Sequence, residues 1–200
     1  MKRLAVLIST GGSGTNLQAI IDAIKKGELK ATIVIVLSDS ENARGLERAK
    51  KHTIPFEIVD KTTDLTILLK DKYHIDYVCL AGWKLIIPNS FIDNFGNKIL
   101  NIHPGLIPDT MDGKVQNPDG TTALWNRGKY TDKAIQQFFD SGSTYAGSAV
   151  HFLSHEFDFG VVLGRVFEKI NPGDTVETLY GRLKQKENKL YVDALKTLCN

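Results

Sequence analysis

Four apolar runs rich in β-branched residues constrain this chain more than anything else in it. They are "RLAVLIS" (3–9), "ATIVIVLS" (31–38), "DYVCLAG" (76–82) and "KILNIH" (98–103). None alternates strictly between apolar and polar residues, so each reads as a strand covered on both faces. Between them lie stretches of helical period: "NLQAIIDAIKKG" (16–27) with its glycine stop, "GLERAKKH" (45–52) and "DLTILLKDK" (64–72). A shorter strand is expected at "FEIVD" (56–60). This alternation predicts an α/β fold with a doubly wound, mostly parallel sheet.

The rhythm breaks at 104–120, "PGLIPDTMDGKVQNPDG", which has no periodicity and holds Pro104, Pro108 and Pro118. A loop that long inside a domain is usually functional or disordered. A helical stretch is expected over 121–140. After it, "SAVHFL" (148–153) and "VVLGRVFEKI" (161–170) read as an antiparallel pair joined by "SHEFDFG". The segment 175–198 predicts a long closing helix with Thr175 as its N-cap. No repeat or linker divides the chain, so residues 1–200 are expected to form one domain.

Composition narrows the setting. A formal charge of +2 gives no general case for nucleic acid or membrane as partner. No apolar run approaches the ~18 residues of a membrane span, and the opening "MKRLAVLIST" is too short for a signal peptide. Cys79 lies in a strand pattern and Cys199 is penultimate, so a reducing, cytoplasmic setting without disulfides is expected. Two cysteines and five scattered histidines show no metal-ligand spacing.

Three features carry chemistry. "STGGSGTNLQ" (9–18) joins the first strand to the first helix, where free N–H groups and the helix dipole suit an anion such as a phosphate. It lacks the Gly-Lys-Ser/Thr of a Walker loop, and Leu17 stands where a dinucleotide fingerprint has its third glycine. A tight turn without a ligand also fits. Next, "NIHPG" ends a strand with Asn101 and His103 on one side. An asparagine N–H suits a carbonyl becoming an oxyanion, and a histidine can move a proton near neutral pH. A histidine that merely caps a turn fits this pattern equally. Finally, "FDFG" offers Asp158, which could orient and charge that histidine or simply form the turn. His151 reads as a satisfied strand residue.

Together, "VLISTGGSGTNLQAIIDA", "LAGW" (80–83), "NIHPGLIP" (101–108), "GSAVHFLSHEFDFG" (147–160) and the closing helix resemble the formyltetrahydrofolate-dependent formyltransferase family across nearly the whole chain. The resemblance implies a Rossmann-like formyltransferase fold, with a phosphate-binding half over 1–100 and a catalytic, folate-binding half over 101–200. It implies 10-formyltetrahydrofolate as co-substrate, no metal, and glycinamide ribonucleotide as the acceptor, in a monomer or homodimer. Asn101, His103 and Asp158 match the family's catalytic trio, the first two holding the formyl oxygen and Asp158 helping to move protons. Gly14, Thr15 and Asn16 match its phosphate loop; Glu187, with Lys184 nearby, matches an acidic residue that binds the ribonucleotide. The pteridine is implied to meet Leu80, Trp83, Lys84, Leu85, Ile86 and Ile87, and the stretch Ser154, His155, Glu156 and Phe157.

This chain departs from the family pattern at Phe159, where a glycine commonly follows the aspartate, and at Lys84–Leu85, where an apolar-basic order is commoner. Segment 109–127 also lacks the family's usual histidine-bearing stretch. Relatives acting on tRNA or hydrolysing the formyl-folate carry an additional domain, for which a chain of this length is expected to have no room. The rival expectations are a hydrolase-like enzyme and a phosphate-binding protein without catalysis.

Overall fold

β1 (Lys2–Ile8) folds as its sequence demands: Leu4, Ala5, Val6 and Leu7 are wholly buried, as in a strand covered on both faces. The computed structural model describes residues 1–128 and 130–200 and divides them into two units, 1–101 with 195–200, and 102–194.

In the first unit β1 is joined by β2 (Ala31–Ser38), β3 (Phe56–Ile58), β4 (Tyr77–Leu80) and β5 (Ile99–His103), the last of which runs across the division. These five lie in the order β3-β2-β1-β4-β5 with parallel pairing throughout. The chain winds outward from β1 in one direction and then restarts at β4 in the other. That reversal puts the carboxyl end of β1 at a switch point, the usual place for a ligand in such sheets. The helices α1 (Thr15–Lys25) and α2 (Gly45–Lys51) follow β1 and β2; α1 buries Leu17, Ile20 and Ile21.

The helix expected at 64–72 is present, with Ile67–Lys72 wound as a π-helix. Asp64 starts it by accepting the N–H groups of Thr66 and Ile67 at 2.8 and 3.1 Å. A helix not anticipated from the sequence, α3 (Asn89–Phe95), follows Pro88 and ends at Gly96, whose φ of 54° only glycine adopts easily. It buries Phe91, Ile92 and Phe95.

The second unit holds α4 (Thr131–Asp140), the antiparallel pair β6 (Tyr145–Phe152) and β7 (Val162–Lys169), and most of α5 (Val176–Cys199). Ile135, Phe138, Ala146, Leu179 and Leu183 form its buried cluster. Thr175 and Thr178 cap α5 reciprocally, the Thr178 N–H donating to Thr175 Oγ1 at 3.3 Å and the Thr175 N–H to Thr178 Oγ1 at 2.9 Å. A mostly parallel sheet with an antiparallel C-terminal pair and a closing helix is the fold class the sequence predicts.

The helix read over 121–140 begins only at Thr131. Residues 115–123 instead turn back on themselves, with Gln116 bridging Thr122 and the Ala123 N–H donating to the Val115 carbonyl. Asn126, at φ 58°, and Gly128, at φ 74°, then hold left-handed conformations that no helix accommodates. The long loop at 104–120 is anchored: Leu106 and Ile107 are buried, and Arg165 binds the Ile107 carbonyl and the Asp109 carboxylate, each at 2.7 Å. Both cysteines are free thiols. Among the described residues no helix is long and apolar enough to cross a membrane, and no group of three or more metal-ligating side chains is assembled.

Candidate active site

β5 carries Asn101 and His103 two residues apart, hence on the same side of the strand. His103 is 3% exposed. Its Nε2 lies 3.0 Å from the main-chain carbonyl of Trp125, and its Nδ1 lies 3.4 Å from Asp158 Oδ1. Gly105 makes the first contact achievable. A Cβ on residue 105 would stand 1.7 Å from the Trp125 oxygen and 2.7 Å from His103 Nε2. Pro104 and Gly105 therefore do more than turn the chain, since the missing side chain leaves room for a carbonyl against the imidazole.

Asp158 is gripped at three points. Its Oδ1 faces His103, its Oδ2 accepts the Gly128 N–H at 2.7 Å, and its carbonyl accepts the Trp125 indole N–H at 2.9 Å. Its φ of 49° is left-handed, which aspartate tolerates better than most residues. Strained backbone of this kind recurs at sites where geometry serves function. Phe159, the departure from the family pattern, packs its ring 5.7 Å from that of Trp125.

Burial lowers the His103 pKa from its ordinary value, against the opposing pull of the Asp158 carboxylate and smaller ones from the main chain of Trp125 and Asn126 and from Glu187. The imidazole is thus neutral at pH 7, beside a base that attracts any proton placed on it.

His151, on β6, is wholly buried, with Nδ1 2.9 Å from the Phe152 carbonyl. Burial first, and the charge of His103 next, pull its pKa from 6.5 to about 4. As pH falls from 6.5 toward about 4, the unfolded chain takes up a proton at this position that the folded chain refuses. Folding stability at His151 is therefore lost over that window, by an amount on the order of 3 kcal/mol. Urea denaturation of the wild type and of His151→Gln between pH 7 and pH ~4.5 checks this; the variant is expected to lose less stability on acidification. Equal losses would contradict the assignment.

Glu187, on α5, is 2% exposed, accepts the Ser148 hydroxyl at 2.6 Å and lies 3.2 Å from Lys184 Nζ. Burial works against the Lys184 charge, yet Glu187 and Tyr180 together outweigh it and raise the ammonium's pKa. The second unit thus gathers His103, Asp158, His151, Ser148 and Glu187 as a buried or half-buried polar group, of which Ser148 was not foreseen.

The glycine loop belongs to the first unit. Gly14 precedes α1 at φ 68° with no side-chain cap, so the first N–H groups of the helix, at Thr15 and Asn16, have no intrahelical acceptor. A Cβ on Gly14 would lie 2.8 Å from the Gly45 Cα. Arg48 braces the loop through the Ser13 carbonyl (3.2 and 3.1 Å) and Gln18 (3.0 Å). The Lys84 ammonium stands 3.0 Å from where a Gly11 Cβ would be, and the Lys84 N–H donates to Ser9 Oγ at 2.9 Å. Lys84, expected to face folate, reaches the glycine loop.

Of the other residues tied to folate, Leu80 and Ile87 are buried, Trp83 and Leu85 half-buried, and Ile86 is 83% exposed. The Trp83 indole N–H is buried without a partner. In the second unit Ser154 Oγ donates to the Phe159 carbonyl at 2.8 Å. Glu156 pairs with Arg127 at 2.9 Å, His155 is exposed, and Phe157 is 60% exposed.

Sequence reasoning missed Trp125, Gly128 and the steric role of Gly105. A signal was present, because "NRG" within the supposed helix places turn residues where a helix tolerates them badly.

The second unit thus holds a strand-end histidine beside a carboxylate, and the first a glycine-rich loop after β1 of a parallel sheet. The formyl transferase family model matches residues 2–195, and the chain belongs to that family. It is 34% identical over 216 residues to a phosphoribosylglycinamide formyltransferase of Dictyostelium discoideum, covering 98% of this chain and 97% of that protein. It is 30% identical over 208 residues to the chloroplastic phosphoribosylglycinamide formyltransferase of Arabidopsis thaliana, covering 99% of this chain but 65% of that protein, so it spans less than two thirds of that relative's length. The crystal structure of glycinamide ribonucleotide transformylase 1 from Geobacillus kaustophilus superposes with a TM-score of 0.83 at 32% identity, covering 100% of both chains.

Proposed function

We propose that this chain transfers the formyl group of 10-formyltetrahydrofolate to the amine of glycinamide ribonucleotide, a step of de novo purine synthesis. The pairing of buried His103, at the end of β5, with Asp158 of the β6–β7 turn carries this reading, because a group transfer between two nitrogens needs a proton moved. The names of the relatives support the choice of substrates.

In this reaction the amine nitrogen attacks the formyl carbon, and the carbonyl electrons move onto oxygen. The carbon–N10 bond then breaks as the oxyanion collapses, N10 gains a proton and the amine loses one. Formylated ribonucleotide and tetrahydrofolate result, with no net proton consumed. The Asn101 side-chain amide suits the developing oxyanion. His103 and Asp158 receive the amine proton and return it toward N10, through water where the distance requires it. Both ring nitrogens of His103 already have partners. Of the two, the 3.4 Å approach to Asp158 is the looser, and it is the one at which a proton or a substrate atom can intervene.

The N–H groups at Gly14, Thr15 and Asn16 hold the 5′-phosphate, with Arg48 and Lys84 supplying positive charge at the loop. Lys184, less buried than Glu187, is the more accessible of the two residues assigned to the ribonucleotide. Phe157, exposed on the 156–159 turn, covers part of the pteridine. The phosphate-binding role falls to the first half of the chain and the catalytic role to the second. Following the loss of formyl-folate absorbance tests the reading: turnover is expected only when both substrates are present. No turnover, or the same loss without the ribonucleotide, would overturn it.

A further inference from the structure

Trp125 touches both members of the catalytic pair with its two polar groups. Its carbonyl oxygen meets His103 Nε2 at 3.0 Å, and its indole N–H meets the carbonyl of Asp158 at 2.9 Å. We propose that Trp125 is a positioning residue that sets His103 as the Nε2–H tautomer, with Nδ1 turned to Asp158, and holds the Asp158 turn in register with it. The catalytic part of this proposal rests on the formyl-transfer reading; the tautomer does not.

A carbonyl oxygen accepts hydrogen bonds and cannot donate one. A 3.0 Å contact between it and Nε2 therefore requires the proton on Nε2. A neutral imidazole then presents a bare lone pair at Nδ1. That lone pair faces a carboxylate oxygen at 3.4 Å, two acceptors with no proton between them. Such a gap offers two acceptors to a donor N–H or to a proton in transit, while burial keeps the resting imidazole neutral. The Trp125 carbonyl thus decides which ring nitrogen handles the reaction's proton.

The other contacts hold the same arrangement. The Gly128 N–H fixes Asp158 Oδ2 at 2.7 Å, leaving Oδ1 for His103. Phe159 packs beside the indole, and the Arg127 guanidinium lies 5.3 Å from the indole ring while donating to the Phe157 carbonyl at 2.8 Å. The segment from Trp125 to Gly128 therefore grips the 156–159 turn at several points.

Two measurements test the proposal. Histidine ¹⁵N spectra of the wild type at pH ~7.5, with His103 assigned by its loss in His103→Asn, are expected to show a proton-bearing Nε2 and a pyridine-like Nδ1. A proton on Nδ1 instead would overturn the carbonyl's role. Trp125→Phe keeps an aromatic ring and the main-chain carbonyl but deletes the indole N–H. It is expected to lower kcat roughly 10- to 100-fold while KM for both substrates stays within about twofold. An unchanged kcat, or a rise in KM alone, would show that Trp125 only packs. Wild-type protein without formyl transfer would sink the functional reading, and the histidine spectrum would still decide the tautomer.

Discussion

Asp158→Asn is expected to reduce kcat for formyl transfer by roughly 10²–10⁴-fold, the usual effect of removing a positioned acid–base group. The substitution is gentle on structure. Asparagine tolerates the φ of 49° as readily as aspartate, and its amide oxygen can still accept the Gly128 N–H. What it cannot do is share a proton with His103 Nδ1. Stability should stay within about 1 kcal/mol of wild type, so the activity loss is not a folding loss. The pH dependence follows from the same geometry. Burial lowers the His103 pKa, and the groups acting on it are Asp158, Glu187 and the main chain of Trp125 and Asn126, with His151 buried neutral nearby. Neutral His103 is the proton-accepting form, so kcat/KM is expected to be flat above neutrality and to fall in acid as the pair becomes protonated. Steady-state kinetics of both proteins across pH checks both points. An Asp158→Asn enzyme with wild-type kcat would remove the carboxylate from the proton path.

Gly105→Ala is expected to be the most damaging single methyl in the site. The added carbon would meet the Trp125 carbonyl oxygen at 1.7 Å, its carbon at 2.7 Å and His103 Nε2 at 2.7 Å. None of these is the end of a flexible side chain, so the collision is relieved only by moving main chain or imidazole. A loss of at least about 3 kcal/mol is expected, above the usual cost of overpacking because the obstacle is backbone. Any variant that folds should also lose the hydrogen bond that fixes the His103 tautomer. Urea denaturation measures the first effect and histidine ¹⁵N spectra the second. A variant within about 1 kcal/mol of wild type would contradict the close approach of the Trp125 carbonyl to His103.

The parallel strands were legible because each is a continuous apolar run, a pattern that burial on both faces imposes directly. α3 was not, since seven residues between Pro88 and Gly96 carry too few periods to stand out from a loop. The supposed helix over 121–140 failed at Asn126 and Gly128, where left-handed backbone overrides a permissive composition. In the site, side-chain chemistry at a strand end marked out His103 and Asp158, and the structure brings them together. Trp125 was invisible for a physical reason: half of its contribution is a main-chain carbonyl, which every residue has. Lys84 stands in an apolar segment of the sequence, and its contact with the glycine loop is not legible there because a long, flexible stem carries its charge away from its neighbours.

The central claim is that the formyl group passes to an amine rather than to water. Single-turnover reaction of the wild-type protein with formyl-labelled 10-formyltetrahydrofolate and glycinamide ribonucleotide tests it most directly. The label is expected in the formylated ribonucleotide, with transfer slowed in Asp158→Asn. Label recovered as free formate, at the same rate with or without the ribonucleotide, would contradict the account.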